Sequence, residues 1–450
     1  MKKCLSTILT FIFVIAVLAA MIFIMQYITS RPENNSSDLS ESASEAISDN
    51  SSEDTNSIGN NSNTSSQSVP EDTVVSFLAC PDNIIHPSVY NDAIARAAAK
   101  NGTTPDYSNP ATAEYDFYQI YQFVADEIST ADLSYINVET MIGGDENPIA
   151  GFPTFNTPKA AGDTLYNLGF DVYNLAHNHM LDSYSDKFLI NCHKFFSDKG
   201  VDVIGYYEDE AATDNIVIVE KEGIKIAFLA YTYGTNGLAL QSGASTYIPY
   251  FNENLIKKQV ALAKEQANLV IVSAHWGNED TYTPNSYQQS YAQLLVDLGV
   301  DVILGMHPHV IQPMKWVENN EGHKTLLIYS MGNFVSGMQD GFNLLGGMLG
   351  FDIIKDAETA KIYIDNVIFK PIVTHYTKPG KGYNSHDTGY RNFTIYHLEN
   401  YTDELAALHD VNRWDLSHRY TLVGGKFSKQ NLINTVKEII PAEFLSEYYQ

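Results

Sequence analysis

The chain has 450 residues, 44% hydrophobic and 12% aromatic, which is enough for a packed core in one large domain or two ordinary ones. Its 27 basic residues against 54 acidic ones give a net charge of -27. That argues against nucleic acid as a partner, since phosphates are held through Lys and Arg, and against adsorption to anionic lipid by charge alone.

Residues 1–30 open with Lys2 and Lys3 and continue as an uncharged apolar run, CLSTILTFIFVIAVLAAMIFIMQYI, over positions 4–28. As a helix this run is about 37 Å long, sufficient for a hydrocarbon core of roughly 30 Å. It exceeds the usual apolar region of a cleaved signal peptide and lacks a small-residue cleavage site, so it reads as an uncleaved membrane anchor. The preceding lysines place the N-terminus in the cytoplasm and the body outside the cell membrane. Residues 31–72 hold thirteen serines, nine acids and one arginine. Such a segment has little to bury and predicts a disordered acidic linker of about 36 Å.

From Thr73 the pattern is globular. VVSFLA, LSYINV, DVYNLA, VDVIGY, LVIVSA, DVILGM and TLLIYS read as buried strands. YDFYQIYQFVADEI, DKFLINCHKFFSDKG and SYQQSYAQLLVDLG read as helices between them. NIVIVEKEGIKIAFLAYTY predicts a hairpin turning at Glu222-Gly223, and GFDIIKDAETAKIYIDNVIFKPIV a second antiparallel pair. Alternating strands and helices with added hairpins predict an α/β fold of two mixed sheets flanked by helices over residues 73–384. Residues 385–450 read as a C-terminal extension, mixed and then helical. Cys80 and Cys192, the two cysteines of the body, form no framework or zinc spacing, and the sequence leaves their pairing open.

In α/β sheets ligands sit beyond the carboxyl ends of the strands. Here those ends carry CPDNIIH with Asp82 and His86, then Asn137 and Glu139, then the loop NLAHNHMLD with His177, Asn178, His179 and Asp182. Further on come His275 and Glu279 in HWGNE, His307, His309 and Gln312 in HPHVIQ, and Asn333 in MGNF. A lone strand-end histidine is ordinarily a cap or surface residue. Donors on several loops at one sheet end point instead to a metal or polyanion site. Nitrogen and oxygen donors without thiolate suit Mn, Fe, Zn or Mg. Asp82, Glu139, Asn178, His275, His307 and His309 suffice for one or two divalent ions, which would lower the pKa of bound water. That leaves His179, and His86 beside it, for acid–base work. Asn137, Glu279, Gln312 and Asn333 are then candidates to touch substrate. Trp276 reads as packing, and Gly277, Gly305 and Gly332 as turn residues at strand ends.

The ordered series CPDNIIH, NVET, FPTFNTPKAAGDTLYNLGFDVYNLAHNHMLD, HWGNE, GMHPHVIQP and YSMGNFVSG resembles the CapA-type capsule synthesis proteins. The resemblance covers residues 73–376, and YTDELAALH at 401–409 also looks like that family's C-terminal region. It implies a fold similar to calcineurin-like metallophosphoesterases and a role in making or exporting poly-γ-glutamate. By position it implies Asp82 and Glu139 as acidic ligands, Asn178 and His179 as the metal-binding and assisting members of an Asn-His pair, and His275, His307 and His309 as imidazole ligands. Pro81 replaces a usual glycine, no Asp-x-His is present, NVET stands for the family's Gly-Asp-x-x-Asp, and His177 replaces a common asparagine.

The resulting expectation is a single-pass, membrane-anchored extracytoplasmic protein. It would serve synthesis or export of an anionic surface polymer, alongside other membrane synthase subunits. A metal-dependent hydrolase of phosphoesters or amides, and a non-catalytic scaffold of a membrane synthase, are the alternatives. The acidic chain itself repels a polyanion, so recognition would be local, through metal ions and imidazoles.

Overall fold

The computed structural model describes residues 71–378, 388–413 and 425–450. The expected anchor and nearly all of the acidic linker lie outside the described residues, among which no helix is long and apolar enough to cross a membrane.

The chain enters on β1 (Thr73–Asn83) and passes through the helix Pro87–Asn101 and two short helices, Tyr118–Tyr121 and Ala125–Thr130, to β2 (Leu133–Asn137). The helix Lys159–Leu168 leads to β3 (Val172–Asn174), and Lys187–Ser197 leads to β4 (Asp202–Ile204). β5 (Val217–Lys221) and β6 (Ile224–Thr232) make the expected hairpin, with Glu222 and Gly223 both at positive φ. The helix Glu253–Gln266 precedes β7 (Leu269–His275), and Ser286–Asp297 precedes β8 (Val302–Met306). β9 (Ile311–Glu318), β10 (Lys324–Met331), β11 (Asn333–Val335), β12 (Leu345–Lys355), β13 (Ile362–Thr377) and β14 (Arg391–His397) follow, then the helices Asp403–Leu408 and Lys429–Ile439.

One sheet runs β14-β13-β12-β1-β2-β3-β4, with β11 also paired to β1, and the other runs β5-β6-β7-β8-β10-β9. Both are mixed. β1 to β4 are mutually parallel while β12, β13 and β14 are antiparallel, and β6, β7, β8 and β10 are parallel between two antiparallel edges. The C-terminal region extends the first sheet, since β14 pairs with β13 from Ile372↔His397 to Thr377↔Arg391.

Strand alternation builds two apolar layers. Phe228, Ala230, Ile271 and Leu304 face the first sheet and join the main core with Phe77, Ala79 and Tyr135. Ala227, Leu229, Val270, Val272 and Ile303 face the other way, under the helices Glu253–Gln266 and Ser286–Asp297. Asn252 caps the first of these helices, and a reciprocal Asn285–Gln288 capping box starts the second. A buried hydrogen bond of 2.7 Å between Tyr135 Oη and Ser273 Oγ ties the sheets across the main core.

Trp276 is fully buried in the outer layer, donating from Nε1 to the Tyr329 carbonyl at 2.9 Å. Gly277 and Gly332 do turn with positive φ. Gly305 does not: it lies within β8, where a Cβ would sit 2.0 Å from the Tyr329 carbonyl oxygen, so it serves close strand approach. The predicted long helix at YDFYQIYQFVADEI is broken into two short ones around Gln122, Phe123 and Val124. Cys80 and Cys192 are both free and buried.

Candidate metal centre

The parallel strands of both sheets end at the same place. Register aligns Asp82 with Asn137 and Asn137 with Asn174 in the first sheet. In the second it aligns Thr232 with His275 and His275 with Met306, immediately before His307.

The Asn174 amide donates to Asn137 Oδ1 at 2.7 Å, and Asn137 Nδ2 donates to Asp82 Oδ1 at 2.6 Å. The other Asp82 oxygen accepts from the His307 N–H at 3.0 Å and lies 3.4 Å from His309 Nδ1. His309 Nε2 faces Glu139 Oε1 at 3.5 Å, and His275 Nε2 faces the same oxygen at 3.8 Å. Asn178 Oδ1 is 2.9 Å from His275 Nε2. Glu139 therefore stands between Asp82 and His309 on one side and His275 and Asn178 on the other. Ligand atoms of Glu139, His307 and His309 all lie within 4.8 Å of one another. His307 and His309, at φ 95° and 56°, hold left-handed backbone on both sides of Pro308, a costly conformation for non-glycine residues that clusters at functional sites.

Several buried atoms here have no hydrogen-bond partner among the described residues: both Glu139 oxygens, His307 Nδ1 and His275 Nδ1. Such orphans are costly in a protein interior, and a bound cation would satisfy those that face it. Burial, then the Asp82 charge, pushes the Glu139 carboxyl well above its ordinary range. Burial and neighbouring imidazoles pull His275 and His307 well down, leaving them neutral. Burial acts in the same direction on His309, but Glu139 and Asp82 outweigh it and push it up to about 10. In their deprotonated forms these imidazoles and carboxylates, with an amide oxygen, make a donor set that fits a divalent ion, whose binding would displace the protons that Glu139 and His309 otherwise hold.

Beside the donors, His179 Nδ1 lies 2.8 Å from Asp182 Oδ2, which also accepts from the Phe155 N–H at 2.6 Å. The Phe155 ring meets His179 edge-on at 4.8 Å. This arrangement fixes the position and orientation of the His179 ring beside the donors. His177 accepts the His179 N–H on Nδ1 at 3.1 Å, and burial holds it neutral, so it shapes the loop that presents His179.

Other expected site residues fall elsewhere. His86 precedes Pro87 at a helix start, accepts the Gly337 N–H on Nδ1 at 3.1 Å and packs edge-on to Phe155. Burial, then His309 and His179, pulls it down to about 3, so the ring is neutral, with its Nδ1 taken up by the Gly337 N–H. Asn137 and Asn333 are buried behind the donors as supports, Asn137 for Asp82 and Asn333 for His309, whose Nδ1 is 3.0 Å from Asn333 Oδ1. Gln312 is buried between Gln288 and the Thr281 carbonyl. None of these three is placed to touch substrate. Glu279 is exposed next to the site and contributes to the fields at Glu139 and His309.

Two residues not expected from the sequence belong here. The Tyr233 ring lies 4.5 Å from the His307 ring and is 37% exposed. Asn236 Oδ1 accepts from Asn178 Nδ2 at 3.2 Å. Both stand on the loop after β6, a strand whose end carries no acid or histidine to draw attention to it. Asp182 was visible three positions after His179, but its spacing suits a helix cap equally well.

Imidazoles and carboxylates gathered at the common end of two mixed sheets, with unpartnered donor atoms among them, define an α/β protein with a candidate divalent-metal centre. The chain belongs to the bacterial capsule synthesis protein PGA_cap family, whose profile matches residues 76–338. It is similar to the capsule biosynthesis protein CapA of Bacillus anthracis, 34% identical over 171 residues that cover 37% of this chain and 40% of that protein. It is also similar to the PGA biosynthesis protein CapA of Bacillus subtilis (strain 168), 29% identical over 240 residues that cover 51% of this chain and 60% of that protein. Both matches span less than two thirds of the relative's own length. Among solved structures, the calcineurin-like phosphoesterase YfkN from Bacillus subtilis aligns with a TM-score of 0.39 and 13% identity, over 67% of this chain and 91% of that one. The NAD nucleotidase NadN of Haemophilus influenzae aligns with a TM-score of 0.40 and 12% identity, over 84% and 57%.

Proposed function

We propose that this chain serves the synthesis or export of poly-γ-glutamate, or a related anionic surface polymer, from the outer face of the cell membrane, using a divalent-metal site. The observation that carries this reading is the convergence of Glu139, His307 and His309, with orphaned buried donor atoms, in a chain of the capsule synthesis family. The apolar run at 4–28 supports an anchor, and deleting it should release the protein from the membrane fraction. Other membrane synthase subunits are the expected partners.

Asp82, Glu139, Asn178, His275, His307 and His309 would hold the metal. A bound divalent ion supplies Lewis acidity that draws an anionic substrate oxygen into an otherwise acidic protein. Asn137 and Asn174 fix Asp82, and Asn333 fixes the His309 ring. His179, held by Asp182, would give a proton to a leaving atom. Trace-element analysis of purified protein, with turnover of a generic phosphodiester and a γ-glutamyl amide under metal and under chelator, tests the site. Purified protein without metal, and unresponsive to Mn or Zn, overturns the reading.

Hydrolysis rather than scaffolding is the second reading, and the His179–Asp182 pair beside the metal donors supports it. His179→Ala should then abolish turnover and surface polymer while leaving the thermal melt intact. Unchanged polymer output with that variant would favour the scaffold.

A further inference from the structure

We infer that Asn236 is a positioning residue that sets which atom of Asn178 faces the metal. This rests on the metal reading of the site.

An asparagine amide has one acceptor and one donor end, and only the oxygen is a useful ligand for a hard cation. Asn178 must therefore be held with Oδ1 toward the donor cluster. Its Nδ2 donates to Asn236 Oδ1 at 3.2 Å, which turns Asn178 Oδ1 toward His275 Nε2, 2.9 Å away. Asn236 Nδ2 stands 3.4 Å from His179 Nδ1, so one exposed side chain touches both a metal donor and the proton donor.

The backbone that carries Asn236 is well determined. Asn236 and Gly237 have φ of 53° and 76°, and the Leu238 N–H closes on the Thr235 carbonyl at 2.9 Å. These are the marks of a type I′ turn, in which Asn-Gly is the favoured pair. The root of the loop is fixed to the same site, because the Tyr233 N–H donates to the His275 carbonyl at 2.9 Å. Thr235 Oγ1 and Tyr250 Oη, 2.8 Å apart, hold its flank.

A turn preference alone would also place asparagine here, and substitution separates the two roles. Asn236→Gly and Asn236→Asp both suit a type I′ turn. Glycine removes the acceptor that orients Asn178, whereas aspartate keeps one. Outer partners of metal ligands typically change affinity by about 10–100-fold. Calorimetric titration of the 450-residue chain with Mn²⁺ and with Zn²⁺ should show Asn236→Gly binding at least about tenfold more weakly. Asn236→Asp should bind as tightly as the parent or better. Parent-like affinity in Asn236→Gly, or equal loss in Asn236→Asp, overturns the inference while the metal site stands. A parent chain that binds neither ion removes the metal reading and this inference with it.

Discussion

Asp182→Asn is the sharpest probe of the proposed proton donor. Asparagine can still accept the Phe155 N–H, so the loop should remain closed and the melting temperature should change little. What changes is the partner of His179 Nδ1, 2.8 Å away: the oxygen that also takes the Phe155 N–H becomes a neutral amide oxygen in place of a charged one. A hydrogen bond to a charged group contributes about 1.5–3 kcal/mol. At about 1.4 kcal/mol per tenfold, losing the charged partner of the proposed proton donor should slow turnover roughly 10–150-fold. The substrate KM should move far less, because the metal donors are untouched. The assay is steady-state hydrolysis of a phosphodiester or γ-glutamyl amide at saturating metal, with a thermal melt alongside. Turnover within threefold of the parent, with an unchanged melt, would refute the claim that His179, held by Asp182, is the proton donor. Asp182→Ala is the control for structure, since it also strands the buried Phe155 N–H and should cost about 1–3 kcal/mol of stability.

Added Mn²⁺ or Zn²⁺ at a hundredfold excess over its Kd should stabilise the chain by about 2.7 kcal/mol, and His307→Ala or His309→Ala should remove most of that gain in a thermal shift. Gly305→Ala drives a methyl into the Tyr329 carbonyl and should destabilise by about 1–3 kcal/mol or more, measured by denaturant unfolding. Tyr135→Phe should cost about 1 kcal/mol by losing the bond to Ser273. Away from the site, burial pulls His375 down to about 4, and burial with His375 pulls His409 down to about 3. Both are fixed as neutral rings, His375 by Tyr401 Oη, and His409 by the Thr374 carbonyl and the Val411 N–H. Unfolded, each takes up a proton near pH 6.5, so stability should be intact above that value and fall as pH drops from 6.5 toward 4. The slope should approach about 1.4 kcal/mol per pH unit per group, and His409→Gln should reduce it by one group's share; a flat profile in the parent would contradict this.

Much of the site was legible because the strand code is simple. Apolar runs mark buried strands, and the first polar residues after them mark the sheet end where ligands collect. Asp82, Glu139, Asn178, His275, His307 and His309 are brought together as that rule expects. The rule does not say which polar residues face the centre and which brace it from behind. Asn137 lies one strand over from Asp82 and bonds sideways to it, and Gln312 is consumed by Gln288 and Thr281. His86 is the N-cap of the helix Pro87–Asn101, which the apolar pattern does not mark, and its Nδ1 is occupied by the Gly337 N–H. Asn236 lay beyond reach for another reason: its partners are 58 and 57 positions away, and only the pairing of β6 with β7 brings that turn to Asn178 and His179.

β1 has a mechanical consequence. It runs roughly 33 Å from Thr73 to Asn83, with the chain's entry at one end and Asp82 near the other. Tension applied through the N-terminal side would load this strand along its axis, in shear against β2 and β12, where many ladder bonds resist together. A force large enough to slip it by one residue would exchange its inward and outward faces and withdraw Asp82 from His309. The strand that such a pull would load also carries a candidate metal donor, so mechanical failure of the domain and loss of that site would be a single event.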